Sequence, residues 1–245
     1  RYAYAGRNFE YFSEDPVLAG SQVAEEIKGA QVKGVYAFLK HFALNDQETN
    51  RTHMLATWTN EQAMREIYLR PFEIGVKDGG AHAIMSAFNY IGPKYAGANS
   101  ALLNTVLRDE WGFRGMVLTD YFAGYGYQNA DQITRHGGDM MLATLDMPIA
   151  TVNVQDATGV SSLRRASHNI LYTVANSWIY ENGQPEVTRN TWEYITWMVA
   201  GAAILALLGL ELVAIRRYRA RKAEAVITVE PNALIDEAGT EKADE

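Results

Sequence analysis

From Ile195 to Ile215 the chain is apolar except for Thr196 and Glu211. Wound as an α-helix at 1.5 Å per residue, that run reaches roughly 30 Å, the thickness of a bilayer hydrocarbon core. Trp192, Tyr194 and Trp197 gather at its N-terminal end, as interfacial aromatics do. Arg216, Arg217, Arg219, Arg221 and Lys222 follow its C-terminal end, where positive charge marks the cytoplasmic face. Glu211 is costly in lipid but lies about one turn from that basic end. A buried core helix fits such length and such asymmetric flanks poorly. The run therefore predicts a transmembrane helix over 195–215 in a single-pass protein of the cell membrane. What precedes it is expected outside the cell and the C-terminus in the cytoplasm. The chain then divides into a globular part (1–180), a linker (181–194), the span (195–215), and a basic then acidic, alanine-rich tail (216–245). The tail has no apolar periodicity and is expected to be disordered.

Within 1–180, short apolar runs alternate with helix-like segments. Val35–Phe42, Ala81–Phe88, Met116–Asp120 and Asp139–Ala143 read as buried strands. Pro16–Gln31, Asn60–Lys77 (capped by Asn60), Ser100–Trp111 (capped by Ser100, stopped by Gly112) and Leu163–Tyr180 read as helices. This alternation predicts an α/β fold with a parallel sheet and crossover helices. Four such strands make half of an eight-stranded barrel, and half a barrel leaves open edges. The expected fold class is the C-terminal portion of a (β/α)8 TIM-type barrel. Because the chain begins at Arg1 rather than Met, it is read as a fragment or processed product. The absence of cysteine removes disulfides and thiolate metal sites. A net charge of −7 argues against a nucleic-acid partner.

The ends of the predicted strands are polar. Gly115–Tyr121 ends in Asp120, which taken alone is either a turn or cap residue or a catalytic carboxylate held at a strand end. Lys40 and His41 close the first strand among Phe38, Leu39 and Phe42, a setting in which a buried cation needs a partner. Asn45, Gln47, Glu48 and Arg51 follow; Asn89 closes the second strand and Asp139 opens the fourth. So many planar donors and acceptors suit a ligand rich in hydroxyl groups.

Four blocks carry a resemblance: Gly6-Arg7-Asn8-Phe9-Glu10-Tyr11-Phe12-Ser13-Glu14-Asp15-Pro16, Lys40-His41-Phe42 through Arg51, Ile84-Met85-Ser86-Ala87-Phe88-Asn89, and Trp111-Gly112-Phe113-Arg114-Gly115 through Thr119-Asp120-Tyr121. In that order over 1–180, they resemble glycoside hydrolase family 3. The resemblance implies a retaining exo-acting β-glycosidase, β-glucosidase-like, that takes a β-linked oligosaccharide or glycoside and needs no cofactor or metal. It implies Asp120 as the nucleophile that forms the glycosyl-enzyme. Arg7, Lys40, His41 and Arg51 are implied as groups that bind the sugar. Phe88 stands among them where many relatives carry Tyr, and Tyr121 replaces a Trp.

Retaining hydrolysis uses two carboxyl groups about 5–5.5 Å apart, a nucleophile and an acid. Nearby cations are expected to lower the pKa of Asp120. Asp46 and Glu48 are candidates for the acid, with Glu48 read rather as the partner of Arg51. The family takes its acid from an α/β sandwich domain, expected here upstream of Arg1, so the chain alone is expected to be inactive. Two further readings stand beside this one. The first is a non-catalytic, degenerate membrane-anchored sugar-binding protein. The second is N-acetylhexosaminidase chemistry, for which His136 lacks the expected surroundings.

Overall fold

The computed structural model describes residues 2–143, 150–183 and 190–238. The chain forms two compact units, Arg1–Pro185 and Glu186–Glu245.

In the first unit, helix α1 (Pro16–Val32) opens with proline in its first turn. It is capped by Asp15, whose Oδ1 accepts from the Val17 and Leu18 amides at 2.9 and 2.7 Å. Strand β1 (Phe38–Phe42) follows, then the short β2 (Ala56–Thr57). The segment expected as one helix from Asn60 begins as α2 (Glu61–Ala63), with the Asn60 side chain accepting from the Ala63 amide. It passes through a π-helical turn (Met64–Tyr68) and ends as α3 (Arg70–Lys77). Pro71 in that last piece has no N–H to continue the α-helical ladder. Next come β3 (Ala83–Ser86), β4 (Tyr90–Ile91), β5 (Lys94–Tyr95) and a π-helix, Ala101–Glu110. Asn99, not the expected Ser100, offers the capping oxygen, to the Leu102 amide at 3.4 Å, while Ser100 accepts from Asn104. Gly112, at φ +74°, ends this helix in the left-handed conformation that glycine adopts without strain.

Strand β6 (Met116–Tyr121), α4 (Ala130–Arg135), β7 (Met140–Leu142), α5 (Ala157–Ala175) and α6 (Trp178–Asn182) complete the unit. The expected Leu163–Tyr180 helix thus starts earlier, where Asp156 caps it, and is interrupted before Trp178.

Strands β1, β3, β6 and β7 form one sheet in that order, every neighbouring pair parallel. Strand order therefore follows chain order, with helical segments between successive strands. Gly115 makes the β3–β6 approach feasible, since a Cβ there would collide with the His82 carbonyl. The apolar faces close on a core around Phe42, which is fully buried and meets Phe72 and Trp111 at ring distances of 5.1 and 5.8 Å. Burying that one side chain contributes about 1.5–3 kcal/mol. Strands β2, β4 and β5 make a separate small sheet, which alternation of apolar residues did not reveal because each strand has only two residues.

The second unit holds helix α7 (Thr191–Ala238). Its Thr191–Glu224 portion has a mean hydropathy of 2.4 over its most apolar window and is long and apolar enough to cross a membrane. The expected disorder of the 216–245 tail is corrected as far as Ala238, which is helical; 239–245 lie outside the described residues. Ala, Glu, Arg and Lys are good helix formers, and a helix already running needs no new nucleus. Of the 181–194 linker, 184–189 lie outside the described residues, and its ends belong to α6 and α7.

Candidate functional site

Because the sheet is parallel, the C-terminal ends of its strands share one edge. In α/β sheets of this kind, ligands bind beyond that edge. His41 sits near the end of β1, Phe88 and Asn89 just past β3, and Asp120 at the end of β6.

Asp120 has one oxygen hydrogen-bonded and one without such a partner. Its Oδ1 accepts from the Tyr121 amide at 2.7 Å. Its Oδ2 is buried without a hydrogen-bond partner, 3.5 Å from His41 Nε2 and 3.9 Å from a terminal nitrogen of Arg51. Burial raises its pKa, and the Tyr121 amide, Arg51, Arg7 and Lys40 pull the other way. The net direction is up, which corrects the expectation that the cations would dominate. The reason is that desolvation acts on the whole carboxylate while the cations stand off or have other partners.

Those partners were the part of the site that the Lys-His pair did not disclose. Glu10 receives Arg7 through Nε at 2.7 Å and a terminal nitrogen at 2.6 Å, and Lys40 Nζ at 2.6 Å. Paired with two cations, Glu10 is held down to about 2. A helical turn over Asn8–Glu10 brings Arg7 and Glu10 side by side. The available signal was the Arg-x-x-Glu spacing within the Gly6–Pro16 block. Tyr11, the next residue, places its hydroxyl 2.5 Å from His41 Nδ1, and an Arg7 terminal nitrogen lies 3.4 Å from His41 Nε2.

His41 is buried and is not the cation that its surroundings were expected to have to pair. Burial, then Arg7 and Lys40, push its pKa down to about 3, so the ring is neutral and its approach to Asp120 is no ion pair. The lowered values of His41 and Glu10 have the same consequence for folding. Between the ordinary histidine value of 6.5 and about 3, the unfolded chain binds a proton that folded His41 refuses. Between 4.5 and about 2 the same holds for Glu10. Stability contributed by the two groups is therefore present above these windows and lost as pH falls through them. The His41 ring signal, followed by NMR in the folded protein, is expected to titrate near pH 3; a midpoint at 6 or above would contradict a buried neutral ring.

Arg51 pairs with Glu48 at 2.9 Å, as expected, and lies 4.8 Å from the centre of the Phe88 ring. Phe88 is buried and meets Tyr125 edge-on at 5.7 Å, so it forms a floor beneath Arg51. Asp139 sits at the other end of the sheet, before β7, where Arg108, Asn169 and the Val117 amide surround it. His136 follows α4 on the surface, its Nδ1 2.7 Å from the Gln132 carbonyl. Among the described residues, no group of three or more His, Asp or Glu is placed to hold a metal ion.

Known proteins resemble this chain in sequence, and solved structures resemble it in fold. The family model "Glycosyl hydrolase family 3 N terminal domain" matches residues 1–161. Beta-glucosidase B of Emericella nidulans is 50% identical over 121 residues, 49% of this chain and 14% of that protein. A beta-glucosidase of Ruminococcus albus is 36% identical over 173 residues, 68% of this chain and 18% of that protein. Among solved structures, beta-glucosidase 3B from Thermotoga neapolitana in complex with glucose superposes with a TM-score of 0.62 at 38% identity. That match covers 74% of this chain and 27% of that one. The chain thus spans less than a fifth of the length of these two curated relatives.

Proposed function

We propose, on the premise that this chain belongs to glycosyl hydrolase family 3, that it carries the nucleophile half of a retaining β-glycosidase acting on terminal β-linked sugars. The observation that carries this reading is the state of Asp120. One of its oxygens is oriented by the Tyr121 amide and the other is buried without a hydrogen-bond partner, at a strand end, near His41 and Arg51. A carboxylate that must attack an anomeric carbon needs that combination of a fixed plane and an unoccupied lone pair. Its desolvation favours attack, while the cations nearby favour the ionised form that attacks. In the reaction Oδ2 displaces the leaving oxygen and forms the glycosyl-enzyme, and water then attacks the same carbon to release the sugar with its configuration retained.

The sugar would lie over Arg7, Lys40, His41 and Arg51. In exchange for sugar hydroxyls, Arg7 and Lys40 would loosen from Glu10. With Nδ1 engaged by the Tyr11 hydroxyl, the His41 ring would meet the sugar through Nε2. The proton for the leaving oxygen is assigned to a carboxyl outside the described residues, read as the family's α/β sandwich domain. Glu10 is held ionised by its two cations and Glu48 is paired with Arg51, so neither is arranged as an acid. Consecutive parallel strands in chain order support reading 1–180 as part of a (β/α)8 barrel. A 2-deoxy-2-fluoro β-glucoside with a good leaving group is expected to label Asp120 covalently, detected as a modified peptide by mass spectrometry. Labelling at another carboxylate would remove Asp120 from the role.

Helix α7 is proposed as a single membrane anchor, with the unit containing Asp120 outside the cell and the basic cluster from Arg216 to Lys222 in the cytoplasm. A chain ending at Asn182 should leave the membrane fraction for the soluble one; a truncated chain that still pellets with membranes contradicts the anchor.

A further inference from the structure

The small sheet of β2, β4 and β5 rises from the same edge as Asp120, because β4 follows directly on Phe88 and Asn89. It is firmly tied. The Tyr90 amide donates to the Leu55 carbonyl at 2.7 Å and the Gly92 amide to the Thr57 carbonyl at 2.9 Å. The Asn89 side-chain Nδ2 donates to Thr57 Oγ1 at 3.1 Å, and that hydroxyl donates to the Tyr90 carbonyl at 2.7 Å. Ala56 pairs with Tyr90 and Thr57 with Ile91, so the next position in register sets Trp58 beside Gly92. There the indole lies over the glycine. A Cβ on Gly92 would stand 3.3–3.8 Å from three carbons of its six-membered ring. Trp58 is nevertheless 76% exposed. A large flat ring is thus backed by a turn and open to solvent on its remaining surface.

Tyr90, Tyr95 and Tyr127 join this platform to the site. Tyr90 and Tyr127 meet edge-on at 5.5 Å, and the Tyr127 hydroxyl donates to the Phe88 carbonyl at 3.0 Å. Phe88 in turn lies under Arg51.

We infer that Trp58 is the stacking platform for a sugar ring beyond the one held at Asp120, in a β-linked glucose oligosaccharide. The inference rests on the β-glycosidase reading and deepens it. The chemistry is complementary: a β-glucopyranosyl unit carries its hydroxyls equatorially, so each face of its ring presents C–H groups to the indole. The reach also fits. Gly92 is four residues beyond Phe88, at most roughly 13 Å at the rise of a strand, and Phe88 lies against Arg51 beside Asp120, so the indole is within the span of a short oligosaccharide bound at Asp120. A platform that takes the second ring and not the first would discriminate by chain length and leave binding of a single sugar unchanged.

The test measures binding of glucose and of a β-linked glucose trisaccharide to the full chain in detergent micelles, in an Asp120→Asn background so that nothing is turned over. The trisaccharide is expected to bind more tightly than glucose. Trp58→Ala should weaken the trisaccharide about tenfold and leave glucose unchanged, and Trp58→Phe should keep part of the difference. Equal affinity for the trisaccharide with and without the Trp58→Ala substitution, or an equal loss for glucose, overturns the platform. Unchanged glucose binding in those variants leaves the glycosidase reading standing. A protein with Trp58 intact that binds neither sugar overturns both.

Discussion

Asp120→Asn lowers the turnover of an aryl β-glucoside by about three orders of magnitude, roughly 4 kcal/mol of barrier, in any preparation of the protein that hydrolyses it. The amide keeps the size and nearly the shape of the carboxylate. The Tyr121 amide still finds an oxygen to donate to, and the strand and its burial are undisturbed. What is lost is the anionic oxygen that attacks. An amide is a poor nucleophile, and the neighbouring Glu10 and Glu48 cannot stand in, since each is committed to cations. The loss should fall on kcat and kcat/KM for all aryl glucosides alike, with binding of glucose little changed, because Arg7, Lys40, His41 and Arg51 remain. Substitution also relieves the buried site of a desolvated negative charge, so folding stability should not fall. A variant within tenfold of the parent in turnover would show that another group forms the covalent bond.

How far the site could be read from the residues is best seen at the two aspartates that flank predicted strands. Both Asp120 and Asp139 lie where an apolar run meets a polar residue, and periodicity treats them alike. The parallel sheet separates them. Asp120 ends β6 at the edge where ligands bind, whereas Asp139 precedes β7 at the opposite edge. Strand direction decides this, and strand direction was already implied by helices between the strands. The four main strands and the helices between them were therefore legible, while β2, β4 and β5 were too short to carry a pattern. Partnership was less legible. Lys40 could be seen to need an acid, but Glu10 is thirty residues away and only the fold brings the two together. Burial was least legible of all. It turns His41 neutral and moves Asp120 against the pull of its cations, and neither result follows from residue type.

Asp139→Ala is expected to destabilise the first unit by about 3–5 kcal/mol, the usual cost of removing one partner from a buried ion pair. The carboxylate has no exposed side-chain surface. It accepts from Arg108 at 2.7 Å, from the Val117 amide at 2.8 Å and from Asn169 at 2.9 Å. Those donors come from the helix before β6, from β6 itself and from α5, so one side chain joins three elements. Removing it leaves a largely buried guanidinium held by the Gly115 carbonyl without a counter-charge, and takes a carboxylate acceptor from an amide of β6. For a domain of this size, the loss corresponds to a fall in Tm of roughly 6–20 °C. Urea unfolding followed by circular dichroism measures it; a loss under about 1 kcal/mol would mean that Arg108 had found water. The double variant Arg108→Met, Asp139→Leu tests the cause. If the penalty comes from an unpaired buried charge, removing both charges should recover much of the stability that Asp139→Ala loses. If it comes from the amide of Val117, the double variant should remain as unstable as the single one. Because that amide lies three residues before Asp120 on the same strand, the single variant should also slow turnover, through misplacement of the nucleophile and without touching substrate.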